Sequence, residues 1–361
     1  MSVKELQTVN FRNLASEKLI LHSDLNFLVG DNGSGKSSVL ESLFYLGHGK
    51  SFRTTKLDSL IQNGFDDFII SAKSHENIQL GIQRSSNGES KIKVNGLSST
   101  KLSDLAKNIA IQIVTPESFK LFFGGPRERR KFVDLGLFHV EHSFSAEWKL
   151  FQRTYKQRNA CLRNRAAFQQ LDYWTEEFCR LSENIALLRN GYIENLKLEL
   201  GTWLKIMLPD FSDFISIQYL QGWNSKKELA EILKENKHKE IEKGYSLYGA
   251  QKFDIRFLIE NISIEHRLSR GQQKLFLLAL TFAQSKLIEQ VKRIKPILLI
   301  DDIGAELDLS SRKAMFNANQ QLSCQTIISA IDRVALEPLI PDDNNYNMFH
   351  VEHGQIKAMI E

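Results

Sequence analysis

The chain has 361 residues, of which 42% are hydrophobic and 25% charged, and a net charge of +4. This is the composition of an ordinary globular protein of one to three domains, and its bulk charge does not by itself indicate a nucleic-acid partner. The three cysteines are far apart, which excludes a metal-spaced cysteine pair, and the apolar stretches are too short to span a bilayer, so we expect a cytoplasmic protein with no membrane partner.

The first strong pattern along the chain is a short apolar strand over 25–29, followed by a glycine-rich loop and a predicted helix over 37–46. The loop reads Gly30-Asp31-Asn32-Gly33-Ser34-Gly35-Lys36-Ser37 and matches the phosphate-binding pattern G-x-x-x-x-G-K-[ST] at every specified position. Glycines let backbone N–H groups wrap a phosphate at a helix N-terminus. Lys36 supplies charge for the β- and γ-phosphates, and we expect it to face solvent without a ligand; Ser37 offers a hydroxyl to Mg²⁺.

The segments that follow alternate between polar and apolar residues. Residues 69–82 and 91–94 predict a β-meander with turns at 85–88 and 95–96. Residues 109–114 predict a further strand, which ends before Pro116.

The block from about 128 to 207 has almost no strand pattern and no proline. Apolar and aromatic residues recur at heptad-like spacing over 144–162, where Arg158 interrupts them, and again over 174–192. We expect two antiparallel helices with a reversal at 164–172. They form either a projecting coiled-coil arm or a core pair of a compact domain, and the sequence leaves both open.

The same block is basic, with ten Lys or Arg against four acids between Arg127 and Arg165, a net of +6. Such a segment can neutralise DNA phosphates with little reading of base sequence. Its candidate DNA contacts are Arg127, Arg129, Arg130, Lys149, Arg153 and Lys156. The alternative is a solvated helix face.

The last third of the chain contains a highly charged segment over 224–243, predicted as one helix, and strands near 253–259 and 262–264. Leu268-Ser269-Arg270-Gly271-Gln272-Gln273-Lys274 then precedes another predicted helix. A serine and a glycine at a helix N-terminus make a second anion site, which makes sense if it faces the nucleotide of another copy in a two-fold dimer. The alternative is that Ser269 only caps its own helix.

A strand over 297–300 runs directly into Asp301 and Asp302. An apolar strand that ends in an aspartate is the Walker B arrangement, in which Asp301 would hold Mg²⁺ and Asp302 would orient or deprotonate the attacking water. Lys36 lies 265 positions before Asp301. A large segment is therefore inserted within the nucleotide domain.

Together these segments resemble the RecF family of recombination mediators, among the ATP-binding-cassette and SMC-like ATPases. The resemblance rests on Leu-Ser-x-Gly-Gln before a helix and on the segments 10–13, 49–53, 115–117, 125–134 and 301–308, all in the family's order. The chain departs from the family at 249–254, which keeps Gly249 and Asp254 but lacks the usual proline and histidine. No switch histidine follows the strand 326–329, so a γ-phosphate contact there comes from Ser329 or is absent.

The resemblance implies an α/β P-loop NTPase of the cassette, SMC-head-like type with an inserted helical coiled-coil lobe. The head would comprise 1–125 and 211–361, and the arm 126–210. The resemblance also places Arg12 and Asn13 in the nucleotide site, identifies Gln112 with the Q-loop glutamine that serves catalysis and metal binding, and identifies Asp308 with the D-loop aspartate that crosses the dimer interface.

The implied function is that of a weak ATPase that uses ATP and Mg²⁺ and dimerises on ATP. It would bind single-stranded and gapped duplex DNA and work with RecR and RecO type mediators to load recombinase in repair, replication restart and the SOS response. An energy-coupling subunit of a transporter shares the nucleotide motifs, but it normally carries the switch histidine and needs no helical insertion of about eighty residues. A chromosome-organising protein would have far longer coils.

Overall fold

The computed structural model describes residues 2–164, 169–302, 309–322, 324–341, 343 and 345–359. The β-strands are β1 Val3–Val9, β2 Lys18–Ile20, β3 Leu25–Val29, β4 Asp67–Ser74, β5 Gln79–Ser85, β6 Ser90–Val94, β7 Leu97–Ser99, β8 Ile111–Val114, β9 Ile215–Leu220, β10 Asp254–Ile259, β11 Ile262–Ser263, β12 Ile297–Ile300, β13 Gln325–Ala330, β14 Tyr346–Glu352 and β15 Gln355–Ala358. The α-helices are α1 Lys36–His48, α2 Leu102–Asn108, α3 Lys120–Phe123, α4 Pro126–Val140, α5 Phe144–Arg163, α6 Leu171–Met207, α7 Leu229–Glu235, α8 Lys237–Lys243, α9 Arg270–Lys292 and α10 Leu309–Gln321.

The chain divides into two compact units. The first comprises Met1–Phe119, Thr202–Pro209 and Ser269–Glu361, and the second comprises Lys120–Gly201 and Asp210–Leu268. This division differs from the sequence prediction, which gave all of 211–361 to the head. The physical reason is that side chains of the helical block bind the later segment: Arg129 pairs with Asp254, and Arg158 pairs with Glu240.

The first unit contains a six-stranded sheet in the order β15-β14-β3-β13-β12-β8. All neighbouring strands from β14 to β8 are parallel, and only β15 runs antiparallel. The ends of β3, β13 and β12 therefore meet at one edge of the sheet, which is where ligands bind in parallel α/β sheets. Three residues lie at this edge, each at or just after the end of its strand: Gly30, Ser329 and Asp301.

The first unit also contains an antiparallel sheet in the order β2-β1-β4-β5-β6-β7, and the predicted meander is confirmed as β4 to β6. Its strands alternate between buried and more exposed positions, with Leu6, Ile70, Ile82 and Ile92 in the hydrophobic core. The other face of this sheet is mainly polar, although it also carries Ile20, which is 45% exposed.

The second unit contains α4, α5, most of α6, α7 and α8 together with a small sheet in the order β11-β10-β9. The predicted seam between α5 and α6 is real, since the ring of Phe178 lies 5.4 Å from that of Phe151 and 6.2 Å from that of Tyr155. Arg158 interrupts the heptad pattern because its buried guanidinium donates to Glu240 Oε2 at 2.7 Å and to Ser246 Oγ at 2.6 Å. A projecting arm remains a prediction.

The charged segment 224–243 was predicted as one helix, and this is wrong. It forms the two short helices α7 and α8, separated at Asn236. The Asn236 side chain donates to Ile232 O at 2.8 Å and so competes with the helical backbone pattern. Among the helices that the structure describes, none is long and apolar enough to cross a membrane.

Candidate nucleotide-binding site

The phosphate-binding loop lies between the buried strand β3 and the start of α1. Gly33 and Gly35 have φ of 81° and 122°, a region that disfavours residues with a Cβ. A Cβ on Gly30 would lie 2.1 Å from the carbonyl oxygen of Val351. The loop therefore needs glycine for both backbone conformation and close approach, as the pattern predicted.

A cavity of about 730 Å³ opens beside this loop, a volume in the range of small-molecule sites. It brings together most of the residues that were singled out from different parts of the sequence. Its lining is Arg12, Asn13, Asn32, Gly33, Gly35, Lys36, Ser37, Ser38, Arg53, Ser59, Ile61, Gln62, Asn63, Pro116, Asp301, Asp302 and Ser329. Gly30, Asp31 and Ser34 do not line the cavity and instead support the loop through their backbone carbonyls.

Lys36 does not face solvent, so that expectation is wrong. Its side chain folds back, and Nζ donates to Gly30 O at 2.6 Å and to Asp31 O at 2.9 Å. Only 7% of the residue is exposed. Burial lowers the pKa of the Lys36 ammonium from its ordinary value, while nearby Asp301 and Asp302 oppose the shift.

Oxygen ligands suited to Mg²⁺ converge at the end of β12. Ser37 Oγ donates to Asp301 Oδ1 at 3.0 Å, and Ser329 Oγ donates to the same oxygen at 2.7 Å. Asp302 N donates to Ser329 Oγ, while Asp302 Oδ1 is buried with no hydrogen-bond partner among the described residues. Hydroxyl and carboxylate oxygens are the donors that Mg²⁺ prefers, so these residues fit a site shared with nucleotide phosphates. No cluster of three His, Cys, Asp or Glu that would hold a metal by itself occurs in the described parts of the chain.

The side chains of Arg12 and Asn13 are held beside the phosphate-binding loop by contacts that were not predicted from the sequence. Nε and Nη2 of Arg12 donate to the two oxygens of Glu41 at 2.8 Å each, and Nη1 donates to Ser59 O. Asn13 accepts from Ser38 Oγ at 2.9 Å. Glu41 is fully buried, and sequence reasoning missed it. The available signal was that Glu41 is the single carboxylate of α1 and lies among mainly apolar residues.

A second missed feature is the hairpin of β14 and β15, whose turn packs on the phosphate-binding loop. Gly354 N donates to Ser34 O at 2.8 Å, and Ala15 N donates to Gly354 O at 2.9 Å. A Cβ on Gly354 would lie 1.7 Å from Asn13 O. The turn dipeptide His353-Gly354 signalled a hairpin, but nothing local in the sequence signalled its partner.

Two further groups of predicted residues, both within the described part of the chain, do not line the cavity. Gln112 lies inside β8 opposite Leu298, three residues before the level of Asp301. Its Nε2 is buried without a partner in the described structure. Asp308 falls outside the described residues. Ser269, Gly271 and Gln272 form the start of α9, where Ser269 Oγ accepts from Gln272 N at 3.3 Å and Gln272 Oε1 accepts from Ser269 N at 2.9 Å.

The basic residues of the predicted DNA surface separate into two groups. Arg129 donates to both oxygens of Asp254 at 2.8 Å, and Arg130 donates to Phe253 O, so both hold the divergent segment 249–254 in place. Arg127 is exposed, as are Lys149, Arg153 and Lys156. The last three lie at i, i+4 and i+7 of α5, which places them on one helix face.

Comparisons with known proteins show the family of this chain. The family model described as RecF/RecN/SMC N terminal domain matches residues 2–357. A protein of Colwellia psychrerythraea called DNA replication and repair protein RecF is 54% identical, with 99% of this chain and 97% of that protein covered. A protein of the same description from Pseudoalteromonas translucida is 39% identical, with 99% of each covered.

A solved structure described as the recombination mediator protein RecF with ATP, in the RecFOR pathway, has a TM-score of 0.85 at 23% identity, covering 99% of this chain and 98% of that one. The fold is thus an α/β P-loop ATPase of the cassette, SMC-head-like type, and these comparisons give no support to the transporter alternative. The chain belongs to the RecF family of DNA replication and repair proteins.

Proposed function

We propose that this chain binds ATP with Mg²⁺ in the cavity beside the phosphate-binding loop and uses the nucleotide to control its binding to DNA. The observation that carries the nucleotide part is the convergence of Lys36, Ser37 and Asp301 on one cavity. The Lys36 ammonium would exchange the loop carbonyls for β- and γ-phosphate oxygens. Ser37 and Asp301 would hold the metal, which when bound neutralises phosphate charge and polarises the bond to be cleaved.

Hydrolysis would be slow and would depend on Asp302. Asp302 lines the cavity, and its Oδ1 has no hydrogen-bond partner among the described residues, so we infer that it would orient the attacking water. General-base assistance of this kind contributes roughly 10²–10⁴-fold. Many cassettes have glutamate at this position, and aspartate is one methylene shorter. We therefore infer a weak ATPase that serves as a conformational switch.

Dimerisation on ATP is the third part of the proposal. The start of α9 offers backbone N–H groups, and the bond from Gln272 N to Ser269 Oγ is long at 3.3 Å. A γ-phosphate from a second copy can replace so weak an internal partner. Nothing lies within 4 Å of a Cβ built on Gly271, so this helix start is open to a ligand.

DNA at single-strand gaps and junctions is the proposed macromolecular ligand, with RecR and RecO type proteins as partners in loading recombinase in the cytoplasm. Support comes from the family and from the RecFOR pathway given for the similar structure. The exposed face of Lys149, Arg153 and Lys156 on α5 is the candidate DNA surface from the sequence.

Sedimentation velocity tests the whole proposal. The chain is run alone, with ATP and Mg²⁺, with a gapped duplex, and with both. We expect a shift to a dimer with ATP and a larger complex only when ATP and DNA are both present. A chain that stays monomeric with ATP contradicts the dimer proposal, and one that binds DNA equally with and without ATP contradicts nucleotide control.

A further inference from the structure

The antiparallel sheet of the first unit has one face that the core does not cover. Alternate residues of β4 and β5 are buried in the core, and the residues between them point the other way. The cross-strand register joins six of the outward positions into one row: Lys18, Gln7, Ser71, Gly81, Lys93 and Ser98.

This row forms a trough with a small-residue floor and lysine walls. Ser71 and Gly81 occupy its middle, where short side chains leave the backbone open, and Lys18 and Lys93 stand four strands apart, about 19 Å at the usual strand spacing. The depression measures about 290 Å³, and Lys73 also lines it.

The trough is electropositive. Lys18 pairs with Glu5 at 2.7 Å, which cancels one charge. Lys73 and Lys93 have no ion pair with any described residue. The hydrogen bond from Lys18 is the main cause that lowers the pKa of the Glu5 carboxyl, and the charge of Lys73 lowers this pKa further. Lys73 therefore belongs to the same patch of surface.

We propose that this lysine trough is a second docking surface for duplex DNA, held through its phosphate backbone. The inference rests on the DNA-binding function proposed above and adds a surface on the nucleotide-binding unit. Duplex DNA carries one charge per ~1.7 Å of axis, so the unpaired Lys73 and Lys93, two strands or about 10 Å apart, can meet separate phosphates. The six positions of the row contain no aromatic side chain, which disfavours single strands bound by base stacking.

The test is a titration of a fluorescent duplex of arbitrary sequence at several salt concentrations. The variant Lys73→Gln/Lys93→Gln removes two charges from the trough. The matched control Lys205→Gln/Lys357→Gln removes two charges from exposed lysines of the same unit outside it. All four lysines are at least partly exposed, so neither variant should disturb folding, and ATP affinity should equal that of the wild type in both.

We expect the trough variant to bind duplex DNA more weakly and to flatten the log–log salt dependence by about 0.9 for each phosphate that the variant no longer neutralises. The control should keep the wild-type slope. If the trough variant and the wild type have equal salt-dependence slopes, the trough is not a DNA-binding surface, and the DNA-binding function proposed above still stands. If the wild-type protein does not bind DNA at all, both the proposed DNA-binding function and this inference are wrong.

Discussion

Lys36 is bonded to carbonyls of the same loop that would hold a phosphate. In Lys36→Ala, the carbonyls of Gly30 and Asp31 lose their donor, at a cost of about 1–2 kcal/mol in folding free energy. The loss of charge-assisted bonds to phosphate is larger, and we expect ATP affinity to fall roughly 100-fold or more. Isothermal calorimetry with ATP and Mg²⁺ measures this directly.

The control for Lys36→Ala is Lys357→Ala, which removes an exposed lysine of the same unit. It should leave both ATP affinity and the melting temperature unchanged. If Lys36→Ala binds ATP as tightly as the wild type, the loop does not bind phosphate, and the nucleotide proposal fails with it.

Substitution of Asp302 should lower the rate of ATP hydrolysis without weakening the binding of ATP. Asp302→Asn keeps the shape of the side chain and removes the basic oxygen that has no partner in the described structure. We expect ATP affinity within about threefold of the wild type and a single-turnover rate lower by roughly 100-fold. Phosphate release after rapid mixing measures the rate. An unchanged rate would show that the water is oriented by another group, such as Ser329.

At the scale of elements, the β14–β15 hairpin should stabilise the phosphate-binding loop. Gly354→Ala adds a Cβ 1.7 Å from Asn13 O at a φ of 80°, so the hairpin or the Asn13 turn must move. We expect a loss of about 3 kcal/mol or more in the free energy of unfolding, together with weaker ATP binding. Chemical denaturation and calorimetry measure the two effects.

Gly88→Ala is the matched control for that hairpin variant. Gly88 has a φ of 90°, and a Cβ added there would have no atom within 4 Å, so only the backbone strain of about 1–2 kcal/mol applies. Its ATP affinity should be unchanged. Equal losses in the two variants would mean that the hairpin contact does not support the loop.

The exposed face of α5 yields a separate prediction. Neutralising Lys149, Arg153 and Lys156 together should weaken binding to all DNA sequences about equally and lower the salt slope by about 0.9 for each duplex phosphate left without its cation. ATP affinity should not change. The measurement is a DNA titration at several salt concentrations. An unchanged slope would mean that these charges are only a solvated helix face, and the trough of the first unit would then be the surface to test.

Features encoded within a few consecutive residues could be predicted from the sequence, and features formed by distant residues could not. The phosphate-binding loop and the meander were predicted because turn and strand patterns are local. Glu41 and Gly354 were missed because their partners, Arg12 and Asn13, become neighbours only in the folded chain. The packing of segment 210–268 with the helical block was not predicted because the ion pair of Arg158 with Glu240, 82 positions later, leaves no local pattern.

At the scale of the whole molecule, the proposed dimer depends on the start of α9. Ser269→Arg places a long cation where the partner's γ-phosphate would dock, and it also removes the Ser269 cap, which costs about 1 kcal/mol. We expect normal ATP affinity, because the Ser269 side chain does not line this chain's own cavity. We also expect a monomer in sedimentation velocity with ATP and Mg²⁺.

The control for Ser269→Arg is Ser86→Arg, which adds the same side chain at an exposed turn of the first unit. It should dimerise with ATP like the wild type, because any effect of added charge or bulk alone would appear in both variants. Ser269→Ala removes the cap without adding bulk, so it separates helix destabilisation from the block at the interface. If Ser269→Arg still dimerises with ATP, the start of α9 does not contact the partner's nucleotide. Ser269 would then act only as a helix cap, which is the role that its bond from Gln272 N already gives it.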